Sequence, residues 1–252
     1  MIEVAHLSKR FGGVTALDAV DFRAPGGAIT GLIGPNGAGK TTALRILYTV
    51  LRPDAGTARV DGHDVVTARR AAQARVGVLP DNRGLYPRLT ARENVRYYGR
   101  LHGLRGRLLE ERIDTLFDAL ALGEAADRPT HGFSRGQQLK VALARALVHD
   151  PDNLVLDEPT NGLDIASSRA MRDLMRARRD AGRCVLYCSH IMSEVAGLCD
   201  SLVVLGQGRV VARGTVADLR EHTGCHDMED VFLALTGGEG GDSPAAAEAA
   251  HA

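Results

Sequence analysis

No stretch of this chain approaches eighteen uninterrupted apolar residues, so none reads as a membrane-spanning helix. The opening residues Met1-Ile2-Glu3-Val4-Ala5-His6 lack the charged-then-apolar pattern of a secretory leader, and any membrane role is expected to come through a partner. There is no excess of either charge: 31 basic side chains face 31 acidic ones, which argues against a protein that coats nucleic acid. Cysteines occur only at 184, 188, 199 and 225, without zinc-ligand spacing. Cys184 and Cys188 share one face of an expected strand, where they read as small buried hydrophobes, and a reducing compartment fits. Lysine is scarce too, at positions 9, 40 and 140 only. With 44% hydrophobic and 25% charged residues, the 252-residue chain has enough core for one large domain or two modest ones.

What is present is organised around Gly34-Pro35-Asn36-Gly37-Ala38-Gly39-Lys40-Thr41-Thr42. Gly34, Gly39, Lys40 and Thr41 satisfy G-x-x-x-x-G-K-[ST]. An apolar run, Ile29-Thr30-Gly31-Leu32-Ile33, precedes the loop as a strand, and Ala43-Leu44-Arg45-Ile46-Leu47-Tyr48 follows it as a helix. Glycines let successive N–H groups converge on one anion at a helix N-terminus. In that geometry Lys40 reaches the β- and γ-phosphates, Thr41 ligates Mg²⁺, and Thr42 adds a hydroxyl to the α-phosphate. The stretch predicts nucleoside triphosphate binding.

The rest alternates between strand and helix signals. Residues 2–7 and 20–24 read as strands, with Lys9-Arg10-Phe11-Gly12-Gly13 as a loop whose Phe11 could stack on a base. Further strands are expected at 57–60, 75–79, 154–156, 184–188 and in a hairpin over 202–211. Thr90-Ala91-Arg92-Glu93 is a capping box, followed by Val95, Tyr98 and Leu101 at helical spacing. Leu109, Ile113, Leu116, Phe117 and Leu120 form a second apolar stripe. Residues from about 85 to 132 therefore read as a helical lobe inserted between strands. A helix with Leu139, Leu143, Ala146 and Leu147 on its apolar face comes next, then helices over about 165–180, 215–222 and 227–235. The tail from 237 to 252, nearly all Gly, Ala, Ser, Glu and Asp, is expected to be flexible. No internal repeat is present.

Asp157-Glu158 and His190 close expected strands, where open α/β sheets place ligand sites. Asp157 suits Mg²⁺ as a hard oxygen donor, and Glu158 is placed to deprotonate an attacking water. With Phe133-Ser134-Arg135-Gly136-Gln137 and Leu156-Asp157-Glu158-Pro159-Thr160-Asn161-Gly162-Leu163-Asp164 added, nearly the whole chain resembles the ATP-binding subunit of ABC transporters. The resemblance implies an α/β P-loop NTPase fold: a RecA-like mixed sheet with an N-terminal antiparallel β part and an inserted α-helical subdomain, the cassette spanning residues 1–236. It implies Mg-ATP hydrolysis with Glu158 and His190 in catalysis, and Phe11 as the adenine-stacking aromatic. It also implies a head-to-tail dimer in which Ser134, Gly136 and Gln137 cap the γ-phosphate held by the partner's loop, with Asp164 in the loop that meets the partner.

The expected partner is an integral-membrane permease, placing the chain in the cytoplasm at the inner face of the cell membrane; no nucleic-acid partner is expected. Arg135 replaces a common signature glycine, and Asp81 stands where the family usually has glutamine, which adds Asp81 to the expected metal surroundings. Asp81, Arg83-Gly84-Leu85-Tyr86, residues 89–94 and Met228-Glu229-Asp230-Val231-Phe232 look like the branch of sodium-extruding and related exporters. The alternative is a soluble ABC-type ATPase not coupled to transport. Ribosome-acting relatives carry two cassettes and DNA-repair relatives a long coiled coil, neither of which occurs here. A GTPase is disfavoured because no Asn-Lys-x-Asp motif is present.

Overall fold

The structure, a computed structural model, describes residues 1–81, 84–161 and 163–237. The expected turn residues Asn82 and Arg83, the loop residue Gly162 and the tail beyond Gly237 lie outside the described residues.

Strands β1 (Ile2–Phe11) and β2 (Val14–Ala24) form a hairpin closed by Gly12 and Gly13 alone. The loop expected at residues 9–13 is thus mostly strand, and Phe11 is the last residue of β1. Alternation buries Ile2 and Val4, then breaks: His6 adopts φ +48° and the register shifts between Val4 and Leu7, so Leu7 also points inward. After β3 (Ala28–Ile33) and α1 (Lys40–Leu47), β4 (Ala55–Val60) pairs with β1 and the short β5 (His63–Asp64) with β4. The antiparallel sheet therefore runs β2-β1-β4-β5. A helix that sequence reading did not anticipate, α2 (Arg69–Ala74), leads to β6 (Val76–Leu79).

The lobe begins with α3 (Ala91–Leu101), whose first turn carries the expected capping box: the Glu93 N–H donates to Thr90 Oγ1 at 3.1 Å, and the Thr90 N–H to Glu93 Oε2 at 2.9 Å. Val95 is buried, but Leu101 is 65% exposed, because six residues on it has turned about 240° around the helix. In α4 (Gly106–Ala119), Leu109, Ile113 and Phe117 are buried as expected. Helix α5 (Arg135–Leu147) is buried on two sides: Leu139, Leu143 and Ala146 pack on the central sheet, Val141 and Ala144 on the lobe.

The chain continues through β7 (Asn153–Asp157), α6 (Ile165–Asp180), β8 (Cys184–Cys188), α7 (Met192–Leu198), the hairpin of β9 (Ser201–Gly206) and β10 (Arg209–Gly214), then α8 (Val216–Thr223) and α9 (Met228–Thr236). The central sheet is ordered β10-β9-β3-β8-β7-β6, parallel except for the antiparallel edge strand β10. Both faces are covered, so β7 and β8 are buried at every residue. Cys184, Leu186 and Cys188 face the core shared with α1 and the antiparallel sheet, while Val185 and Tyr187 face the helices opposite. The cysteines are packing residues, as their spacing implied. None of the helices among the described residues is long and apolar enough to cross a membrane.

Candidate functional site

Four neighbouring parallel strands end on one side of the sheet, and each delivers a segment singled out from the sequence. Strand β3 leads into residues 34–39, β6 into Pro80-Asp81, β7 ends in Asp157 before Glu158, and β8 is followed by Ser189-His190. Glycine is required twice in the first segment. At Gly34 a Cβ would lie 2.4 Å from the Leu205 carbonyl oxygen; at Gly39, with φ +102°, it would meet Ala16 O at 2.4 Å and Leu17 Cδ2 at 2.7 Å. Gly39 caps α1 without a side chain, so the first N–H groups of the helix stay available to an anion. Lys40 is 8% exposed, and its Nζ donates to Gly34 O at 2.5 Å and Pro35 O at 3.1 Å, which folds the loop around the ammonium.

This loop forms one wall of a cavity of about 410 Å³. Residues 36–42 line it together with Asp81, Asp157 and Glu158. Arg45 and Tyr48 line it as well, and sequence reading did not single them out. The available signal was their spacing: Thr41 and Arg45 on α1 and Tyr48 at its C-cap stand at i, i+4 and i+7. Asp157 is 5% exposed, and burial raises its pKa above the ordinary carboxylate value. Glu158 and Asp81 nearby add to that rise, against the lowering influence of Lys40. A cation is what such a cluster favours. Among the described residues no three or more His, Cys, Asp or Glu side chains form a closed metal cage. Mg²⁺ takes one or two protein oxygens and completes its shell with phosphate oxygens and water; the Thr41 hydroxyl and Asp157, both lining this cavity, fit that part. Glu158 has φ +48° and donates its N–H to Cys188 O at 2.9 Å. Its Oε2 accepts from His190 Nδ1 at 2.8 Å, so a partly buried carboxylate and an exposed imidazole meet across two strand ends.

A family model described as ABC transporter matches residues 17–161. The chain belongs to the ABC transporter family. It is 40% identical over 238 residues to the ABC transporter ATP-binding protein NatA of Bacillus subtilis (strain 168), covering 92% of this chain and 97% of that protein. It is also 40% identical over 223 residues to the daunorubicin/doxorubicin resistance ATP-binding protein DrrA of Streptomyces peucetius, covering 88% and 68% respectively. A solved ATP-binding subunit of an ABC transporter superimposes with a TM-score of 0.87 at 28% identity, covering 93% of this chain and 99% of that one. A dimeric bacterial ABC transporter cassette does so with a TM-score of 0.78 at 25% identity, covering 86% and 99%. The chain is accordingly an ABC ATPase that binds ATP and uses Mg²⁺.

Not every expected site residue of the cassette lines this cavity. Phe11 is 47% exposed at the hairpin tip, outside the lining, with Lys9 Nζ 5.5 Å from its ring centroid. Ser134, Gly136 and Gln137 open α5 instead. The Gln137 N–H donates to Ser134 Oγ at 3.2 Å and the Ser134 N–H to Gln137 Oε1 at 3.1 Å, a capping box. Asp164 caps α6, accepting from the Ser167 N–H at 2.7 Å. The two helix starts adjoin, since a Cβ on Gly136 would lie 3.2 Å from Ser167 Oγ. A second cavity of about 610 Å³ lies between lobe and sheet, and Asp81 lines both cavities.

Proposed function

We propose that this ABC ATPase is the energy-coupling subunit of a membrane exporter. The observation that carries its ATPase chemistry is the pairing of His190 at 2.8 Å with Glu158, which lines one cavity together with residues 36–42. Lys40, held at the loop's centre, supplies the cation for the β- and γ-phosphates. Thr41 and Asp157 would hold Mg²⁺, with Asp81 beside them in the same cavity, and the ion would supply positive charge against the triphosphate. Glu158 accepts the proton of the attacking water, and His190 keeps that carboxylate aimed. Phe11 stacks on the adenine. Ser134, Gly136, Gln137 and Asp164 act across a head-to-tail dimer; Ser134 and Asp164 are exposed, Gly136 and Gln137 half-buried, and the position of all four outside the cavity of their own chain supports that arrangement.

Export is supported by a relative in Ralstonia nicotianae named Nod factor export ATP-binding protein I, 38% identical over 233 residues. In this reading the transport pathway belongs to a separate permease subunit, and the ATPase works in the cytoplasm at the inner face of the membrane. Sodium is the cargo suggested by Asp81, by residues 83–86 and 89–94 and by residues 228–232, which resemble the sodium-extruding branch. The test is ATP-driven Na⁺ movement in vesicles holding this chain with the membrane protein that copurifies with it, Glu158→Gln serving as the inactive control. ATP turnover without Na⁺ movement dismisses sodium, and failure to recover any membrane subunit dismisses the exporter.

A further inference from the structure

Beneath the Glu158–His190 pair lies a buried polar cluster that none of the roles above uses. Glu194, on α7, has a side chain only 16% exposed. Its Oε2 accepts from Thr160 Oγ1 at 2.6 Å and from Tyr187 OH at 2.8 Å, and its Oε1 lies 3.7 Å from Arg172 Nη1 on α6. Thr160 is 4% exposed and Tyr187 fully buried. Burial, with the Glu194 carboxylate adding to it, raises the Tyr187 phenol above its ordinary pKa, so it remains a donor.

The placement of these groups has a mechanical consequence. Thr160 stands two residues after Glu158, in the turn that follows β7. Tyr187 stands three residues before His190, and Glu194 four residues after it. One carboxylate oxygen therefore ties the segment carrying Glu158 to both flanks of the segment carrying His190. The Glu158 backbone is left-handed, a conformation that a non-glycine residue keeps only when its surroundings fix it. Helix α7 follows the N-cap residue Ile191, which supplies no side-chain cap, so the Glu194 contacts are also what seats its first turn. Short O–H···O⁻ bonds to a buried carboxylate are among the stronger polar contacts available for that purpose.

We propose that Glu194 is a positioning residue for ATP hydrolysis, holding Thr160 and Tyr187 so that Glu158 and His190 stay in register. The proposal rests on the reading of Glu158 as the base. Its test uses the full-length protein with its membrane partner, and variants that delete one hydroxyl at nearly constant volume: Thr160→Val and Tyr187→Phe, beside Glu194→Ala and Glu158→Gln. Each hydroxyl deletion is expected to lower kcat about three- to tenfold with KM for ATP within about twofold, and the double deletion to cost no more than Glu194→Ala, since all act through one carboxylate. Thr160→Ser, which restores the hydroxyl, returns kcat to the wild-type value. The proposal falls if both hydroxyl deletions turn over at the wild-type rate while Glu158→Gln is inactive, which leaves Glu158 as the base. It also falls if kcat and KM shift together, or if Thr160→Ser is as slow as Thr160→Val. Wild-type turnover by Glu158→Gln overturns both readings.

Discussion

Lys40 places the single ammonium of the cavity where two backbone carbonyls already hold it. Lys40→Ala removes that charge while the loop's glycines and N–H groups remain. A charge-assisted contact is worth roughly 2–3 kcal/mol, so Mg-ATP affinity should fall about 30- to 150-fold in calorimetry. Unchanged affinity would remove Lys40 from the phosphate site. Asp81 is the more informative residue, because it carries a full charge into a cavity that already holds Asp157 and Glu158. Two like charges about 5 Å apart repel by roughly 3 kcal/mol at an effective dielectric near 20, a cost that metal binding offsets. Asp81→Asn keeps the size and removes the charge. We expect the Mg²⁺ concentration for half-maximal ATPase activity to rise severalfold with ATP affinity little altered. Superimposable Mg²⁺ titrations would leave Asp81 as a turn residue only.

Where an element's signals are local, they were legible. The box at Thr90–Glu93 involves residues three apart and could be read directly. Thr90→Ala should lower stability by about 1 kcal/mol, seen as a Tm drop of roughly 2–4 °C, with ATPase kinetics unchanged; an unchanged Tm would show that the cap contributes nothing. Helix α6 matches the span expected for it, about 165–180; in the structure Asp164 caps its start and Gly182, at φ +77°, follows its end. The S-x-x-Q pattern at Ser134–Gln137 carries the same kind of signal, and the stretch was read as a helix start and a phosphate contact, not as a capping box. Helices α2 and α7 lack side-chain caps and run for six and seven residues, too short to show a period. The bulge at His6 was invisible because nothing in the run Ile2-Glu3-Val4-Ala5-His6-Leu7 requires a positive φ; pairing with β2 and β4 imposes it. In the site, the glycine loop and the acidic pair each lie within one stretch of chain. The Thr160–Tyr187–Glu194 cluster exists only because β7 and β8 are neighbours, which no spacing rule states.

At the scale of the whole molecule, lobe and sheet meet at a pair of stacked imidazoles. His102, which ends α3, lies 3.7 Å centroid to centroid from His149, and His149 Nε2–H donates to Val76 O on β6 at 3.2 Å. Burial, and then the neighbouring His102, lower the His149 pKa from 6.5 to about 4. Because the folded value is the lower one, the unfolded chain binds the extra proton between these pH values. The stabilisation is therefore present above pH 6.5 and is lost as pH falls toward 4, by an amount on the order of 3 kcal/mol. His149→Phe keeps a ring in the stack without the titration. Its unfolding free energy should fall less steeply than the wild type's between pH 6.5 and 4.5, and equal slopes would rule out this origin. The second assembly question is whether one chain can complete its own site. The capped start of α5 lies outside the cavity that holds Lys40, so in the head-to-tail reading Ser134 serves the partner's ATP. Ser134→Arg puts a bulky cation at the place where that phosphate docks, and Lys40→Ala disables the loop, so each homodimer has two defective sites. In the heterodimer both lesions fall on one composite site and the other is intact. Mixing the two inactive variants should restore a fraction of wild-type ATPase activity, at most about half in the heterodimer if its sites work independently. Activity that stays at the level of the separate variants, with heterodimers demonstrated by differential tagging, would place Ser134 on its own chain's nucleotide and dismiss the head-to-tail arrangement.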